Sequence, residues 1–302
     1  MTTDWLGQVC ALLAALTWAF ALVFFKLSGE RISPLALNLF KNTIGLVLLG
    51  ATLLAMGDGV ASLREFPIAD IHILLISGFI GIALADTVMF HSLNLVGVSL
   101  FAIVDCAYSP IVLLISWLLI AEQLTAAHYL GGGLVLVGIM LSSRHPPPPG
   151  RTRRQIASGA LLGVLAIALM AIGIVMAKPV LDADGFPLVW GTIIRLAAGT
   201  AALAVMAAAS PQRRKLYAVF RPSAIWKYSV PGSILGGFLS MVFWVAGFKY
   251  TQAAIAAILN QTSVIFATIL AVVLLKEGMT RRKFAAVALA VTGVVLVAFD
   301  PF

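Results

Sequence analysis

Charge is what this sequence has least of. Asp, Glu, Lys and Arg make up 11% of its 302 residues, against about 25% in an ordinary soluble domain, so water is not this chain's main solvent. There are two cysteines, Cys10 and Cys106, both inside apolar runs; they read as small packing residues, and no disulfide framework is implied. The four histidines, His72, His91, His128 and His145, show no metal-ligand spacing, and no metal site is expected. No Gly-Lys-Ser/Thr follows the glycines at 131–133 or the pair Gly232 and Gly236. These mark close helix packing rather than a phosphate loop, which argues against intrinsic ATP drive. A nucleophile–base constellation is also missing, so neither an enzyme nor a cofactor is expected. The first apolar run, from about Gly7, has no basic stretch before it and no cleavage site after it, unlike a signal peptide.

Apolar residues, in contrast, are 61% of the chain, and the mean hydropathy is +1.06. The apolar runs are about 20 residues long and do not alternate with period two, which selects membrane-spanning helices over barrel strands. The fold class is therefore an all-α membrane protein. Ten spans are read near 7–27, 35–56, 71–93, 98–118, 125–142, 156–178, 186–208, 228–249, 253–275 and 280–299. The joins at 94–97 and 250–252 are short enough for one long helix to run through either of them. Between the fifth and sixth spans lies the segment 143–155, with four consecutive prolines, Pro146 to Pro149, among Arg144, Arg151, Arg153 and Arg154. Prolines cannot continue a helix, and the arginines want water or anionic headgroups.

The net charge of +8 could suggest nucleic acid, but its distribution points to a bilayer. With the N-terminus outside, fifteen cations fall on the cytoplasmic side: Lys26, Arg31, the four linker arginines, Arg213, Arg214, Lys215, Arg221, Lys227, Lys276, Arg281, Arg282 and Lys283. Three fall outside: Arg64, Lys178 and Lys249. The positive-inside rule then places both termini on the outer, periplasmic side of a bacterial inner membrane. Lipid is the expected partner of the basic loops, and nucleic acid is not. Segment 210–228 reads as a cytoplasmic interfacial piece with Trp226 and Tyr228 at headgroup level.

Sliding the chain by 155 positions lays Glu122 on Glu277, Thr125 on Thr280 and Gly138 on Gly293. Leu12–Lys26 parallels Val164–Lys178, and Pro34 with Lys41 parallels Pro187 with Arg195. Each half has five spans, an odd number, so the second half is inverted relative to the first. The organisation expected is 1–142, a linker at 143–155 and 156–302, two inverted five-helix repeats around a central cavity. Ala121–Thr125 (AEQLT) leading into Gly131 and Gly138, with Lys276–Thr280 (KEGMT) leading into Gly293, resembles the paired signature of the drug/metabolite transporter superfamily, EamA type. Ser109-Pro110 and Trp18-Ala19-Phe20 match as well. Departures are Ile265 where the second copy often has proline, Met170 opposite Trp18, and Lys41 where arginine is common. The resemblance implies an exporter. The Glu–Thr pairs also have a local reading: Thr125 and Thr280 can N-cap the helices that follow, with the carboxylates near their positive ends.

An ionisable side chain inside a span is a functional candidate by default. Four qualify: Lys41, Asp86, Asp105 and Arg195. Lys41, Asp86 and Asp105 lie roughly 10 Å in from the cytoplasmic end of their spans, which suggests one network in which Lys41 neutralises an aspartate. Arg195 belongs to the opposite half, where Asn260 replaces Asp105 and Met241 replaces Asp86. The alternative is static: Lys41 snorkels and the aspartates set helix register. Asn38, Lys41, Asn42 and Gly45 share one face of span 2; Asp105, Tyr108 and Ser109 share one of span 4; Asn260 and Ser263 share one of span 9. Trp18, Phe90, Tyr108, Trp190 and Trp244 complete the substrate-binding or gating set, each equally compatible with facing lipid. Proton coupling through Asp86, Asp105 or His91 is a separate expectation.

Two bases and two acids within the spans sum to zero, which suits a zwitterionic small-molecule substrate. The expectation is a secondary transporter that exports amino acids, bulky apolar and aromatic ones included, by alternating access. The alternatives are a broad amphipathic-drug exporter and a channel, the latter lacking a ring of like charges.

Overall fold

Helices account for nearly all of the described chain because an apolar backbone has no water to bond to and must satisfy itself. The computed structural model describes residues 4–29, 32–57, 59, 63, 66–142, 152–274 and 281–299, with no strand among them. The first half contains α1 (Asp4–Gly29), α2 (Pro34–Met56), α3 (Ile68–Gly78), a π-helical turn (Phe79–Leu84), α4 (Ala85–Asp105), α5 (Tyr108–Ile120) and α6 (Ala126–Ser142). The second contains α7 (Arg153–Asp182), α8 (Leu188–Ala209), the short α9 (Arg213–Tyr217) with a 3-10 turn (Ala218–Phe220), and α10 (Trp226–Ser233). It continues with a second π-helical turn (Ile234–Leu239), α11 (Ser240–Tyr250), α12 (Ala253–Asn260), α13 (Ser263–Leu274) and α14 (Arg281–Ala298).

Local chemistry sets several helix ends. Pro34 opens α2, where its missing N–H costs nothing, and Gly57 closes it at φ 68°. Thr152 and Gln155 form a reciprocal capping box at the start of α7. Thr125 caps α6 as the sequence suggests, with His128 as its reciprocal partner: Thr125 Oγ1 lies 3.0 Å from His128 Nδ1 and accepts from the His128 amide at 3.4 Å.

Among the described residues, six helices are long and apolar enough to cross a bilayer: Asp4–Phe25, Pro34–Met56, Ile68–Met89, Arg153–Asp182, Leu188–Ala209 and Trp226–Tyr250. Tyr108–Ile120, Ala126–Leu141, Ala253–Ala267 and Phe284–Ala298 are shorter apolar helices. Large apolar side chains such as Leu54, Leu130, Leu161, Val205 and Phe284 are exposed, as a lipid-facing surface requires.

The repeat is visible in the packing. Both π turns sit 155 positions apart, and so do the breaks that end α4 and α12. α1 packs on α11 and α13 as α7 packs on α4 and α5; α2 lies against the second π turn as α8 lies against the first. α6 and α14 pair with each other. The crossings rely on glycine. A Cβ on Gly78 would land on the Arg195 backbone, and one on Gly45 on the Gly237 carbonyl.

Two expectations change. The join at 250–252 is a real break, but 94–97 is helical and α4 runs on to Asp105. Contact with α7 holds it: Val96 is fully buried, and Ser92 Oγ donates to the Gly159 carbonyl at 2.7 Å. The shared faces read for spans 4 and 9 are each interrupted, since both helices break between the residues named, at 106–107 and 261–262. Most of the linker (143–151), residues 275–280 with the second Glu–Thr pair, and the Phe90 side chain lie outside the described residues.

Candidate functional site

The two helix breaks meet. Pro110 has no N–H, so the carbonyl four residues back cannot be bonded within a helix there, and the chain turns at Cys106 and Ala107 before α5 begins. Gln261, in the corresponding break of the second half, donates from Nε2 to the Asp105 carbonyl at 2.6 Å. Thr262 Oγ1 donates to the Leu259 carbonyl at 2.6 Å. Backbone freed at one break is thus satisfied from the other. Discontinuous helices inside a membrane protein persist where they line a binding site at the repeat interface.

The ionisable residues separate into two groups. Asn38 Nδ2 donates to Asp86 Oδ2 at 2.5 Å. Lys41 lies within electrostatic reach of Asp86, with its Nζ 5.5 Å from the Trp18 ring centroid. Trp18, Asn38, Lys41 and Asp86, from α1, α2 and α4, therefore form one cluster. Asp86, not Asp105, is the acid within the field of Lys41, and no ion pair closes between Lys41 and Asp86 among the described residues. His91 is exposed on α4, outside that cluster.

Arg195 centres the second group. Its Nε donates to Ser77 Oγ at 2.8 Å, Ser77 Oγ donates onward to the Gly173 carbonyl, and the guanidinium lies 5.4 Å from the Trp244 ring centroid. The Tyr108 hydroxyl is within electrostatic reach of both Asp105 and Arg195. Both interior cations thus stack on tryptophan, but on rings from non-equivalent places in the repeat, Trp18 in α1 and Trp244 in α11. Asn42 is fully buried, and among the described residues neither its amide nitrogen nor its oxygen is hydrogen-bonded. The Trp190 Nε1 and Asn260 Nδ2 also lack partners among the described residues, where no hydrogen bond joins these three to either cluster. Met241, standing where the first half has Asp86, packs in the apolar core.

Beyond this centre, two charges hold the junction between α11 and α12. Lys178 is buried and donates to the Phe248 and Thr251 carbonyls at 2.8 Å each while pairing with Asp182 at 3.0 Å. Lys249 donates to the Leu181 carbonyl, and Thr251 Oγ1 to Asp4. On the amide side, Glu122 accepts from Ala253 N at 2.7 Å and Ala254 N at 3.2 Å. A cation on the free carbonyls and an anion on the free amides match the helix dipoles. Glu122 therefore serves α12 in the other half rather than the helix that follows it. Sequence reasoning missed Ser77, Gln261 and this use of Lys178. The only local hint was the Lys178–Asp182 spacing of four.

Fold and site together define an integral membrane protein of two repeats, helical throughout its described core, with one polar cluster inside the first repeat and another, around Arg195, where the repeats meet. A profile of the EamA-like transporter family matches residues 5–144 and 157–299. The chain belongs to the EamA-like transporter family, whose members are membrane transporters of small molecules. An uncharacterized transporter of Bacillus subtilis (strain 168), YoaV, is 28% identical over 137 residues, 45% of this chain and 46% of that protein. The matched region is thus about half the length of that relative. A solved crystal structure aligns with a TM-score of 0.78 at 20% identity, covering 97% of this chain and 96% of the other. At that identity the likeness concerns the fold.

Proposed function

We propose that this transporter exports amino acids, bulky apolar and aromatic ones included, by alternating access between two inverted five-helix repeats. In this reading residues 1–142 and 156–302 are the repeats and 143–155 is a cytoplasmic linker. There are ten spans, and both termini lie on the outer side of a bacterial inner membrane. The observation that carries the reading is the meeting of the two helix breaks through Gln261 and the Asp105 carbonyl, with Arg195 and the Lys41–Asp86 pair elsewhere among the interior helices. A set of fixed charges that sums to zero suits a zwitterion better than a lone cation or a polyanion. The charge bias supports the orientation, and two of the three outer cations, Lys178 and Lys249, are bonded internally rather than free to meet headgroups.

Purified protein in liposomes tests this. Saturable uptake of intact labelled amino acid with counterflow supports the carrier. Ohmic current would replace it with a channel, and uptake of amphipathic cations in preference to amino acids would replace it with a drug exporter.

A further inference from the structure

The connection between α8 and α11 carries five cations, Arg213, Arg214, Lys215, Arg221 and Lys227, and the sequence has no Asp or Glu between Asp184 and Glu277. Among the described residues no carboxylate pairs with any of the five. They stand on a fixed frame. Leu216 and Val219 are buried in an apolar cluster with Phe40, Leu203 and Ala207, and the Phe220 and Trp226 rings lie 5.5 and 5.6 Å from that of Phe40. The Tyr217 hydroxyl donates to the Ala204 carbonyl at 2.7 Å, and Trp226 Nε1 to the Val219 carbonyl at 3.0 Å. The segment thus turns its apolar side to α2 and α8 and leaves its guanidiniums exposed. There Arg213, Arg214, Tyr217, Ala218 and Arg221 line an open cavity of about 610 Å³. A second recess of about 380 Å³ shares Arg213 and Arg214 with it and adds Lys215.

Leu188–Ala209 and Trp226–Tyr250 are both long and apolar enough to cross a bilayer, so the segment that joins them lies at the membrane surface, at the depth of lipid phosphates. Val205, next to the carbonyl that holds Tyr217, is 68% exposed, as a side chain facing acyl chains is. Guanidiniums present planar forks that match phosphate oxygens, and basic pockets at a membrane surface recognise anionic headgroups. We propose that the cavity framed by Arg213, Arg214, Tyr217 and Arg221 binds the phosphate of an anionic phospholipid, whose acyl chains lie in the bilayer beside α8. A free phosphate has the same chemistry at the guanidiniums but must be drawn from solution, whereas a headgroup is already at that depth. The site is independent of the cargo and of the direction of transport.

The test is native mass spectrometry of the purified full chain in detergent, with phosphatidylglycerol and phosphatidylcholine competing for the first bound lipid. The wild-type protein should hold phosphatidylglycerol at least about 10-fold more tightly than phosphatidylcholine. Arg213→Gln, Arg214→Gln and Arg221→Gln together should bring the two lipids to within about twofold of each other. Arg153→Gln, Arg154→Gln and Arg281→Gln together remove as many charges from other exposed positions and should leave the wild-type preference in place. A loss in the second triple variant as large as in the first would overturn the site in favour of diffuse attraction to all the basic loops. Displacement of the bound lipid by an equal concentration of inorganic phosphate or of a single-stranded oligonucleotide would assign the cavity to a soluble anion and overturn the lipid reading. A wild-type protein that does not discriminate between the two lipids overturns it with no variant made.

Discussion

Replacing Glu122 removes the only side-chain acceptors that the described structure offers the first two amides of α12. Those amides, Ala253 N and Ala254 N, lie 2.7 and 3.2 Å from the two carboxylate oxygens, and Ala253 to Leu259 are all buried. A hydrogen bond to a charged group contributes about 1.5–3 kcal/mol, and a buried donor left unpaired costs about 1–3 kcal/mol. Glu122→Ala, which strands both amides, should therefore cost about 2–5 kcal/mol. Glu122→Gln keeps one oxygen and loses the charge facing the helix dipole, so about 1–2 kcal/mol is expected. Chemical denaturation in detergent, followed by tryptophan fluorescence, gives the order wild type, Gln, Ala. Counterflow should fall in the same order, because α12 ends at Asn260, where the break begins. An Ala variant within about 0.5 kcal/mol of wild type, the range of an ordinary surface change, would refute the capping role.

Lys178→Met leaves the Phe248 and Thr251 carbonyls without their buried donor, for an expected loss of about 2–5 kcal/mol. Asp182→Asn should cost under about 1 kcal/mol, since 41% of the Asp182 side chain is exposed; thermal unfolding in detergent that ranks the two equally contradicts this account of the junction. Ala121 ends α5 in the left-handed region at φ 53°, so Ala121→Gly should stabilise the protein by about 1 kcal/mol in the same assay. Proton coupling predicts that a pH gradient imposed across proteoliposomes drives net accumulation of the carried amino acid. Equal uptake with and without the gradient removes it.

Much of the fold was legible because it is written twice. A shift of 155 positions aligned the Glu–Thr motifs, and the same shift relates the π turns and the helix breaks. The breaks themselves were not legible. Pro110 explains the first, but Ile265 stands at the corresponding place in the second, and its N–H bonds the Thr262 carbonyl at 2.9 Å while the chain still turns. That break is stabilised across the repeats, through Gln261, and no local pattern reports a bond between residues 156 positions apart. The π turns are equally silent, because widening one turn alters neither composition nor apolar period. Of the candidate site, sequence supplied the four ionisable residues from their depth in apolar runs. It could not tell which were compensated, since that depends on Asn38 reaching Asp86 and Ser77 reaching Arg195, contacts between helices far apart in the chain. Glu122 was given to its neighbouring helix for the same reason.

The account depends most on the two halves lying opposite ways up in the bilayer. Its most direct test is labelling by a membrane-impermeant thiol reagent of single cysteines introduced at Gly150 in the linker and at Phe302, both native cysteines being buried. Labelling of the two positions from opposite faces of the membrane is the predicted result; labelling of both from one face would contradict the inverted arrangement and, with it, transport between the halves.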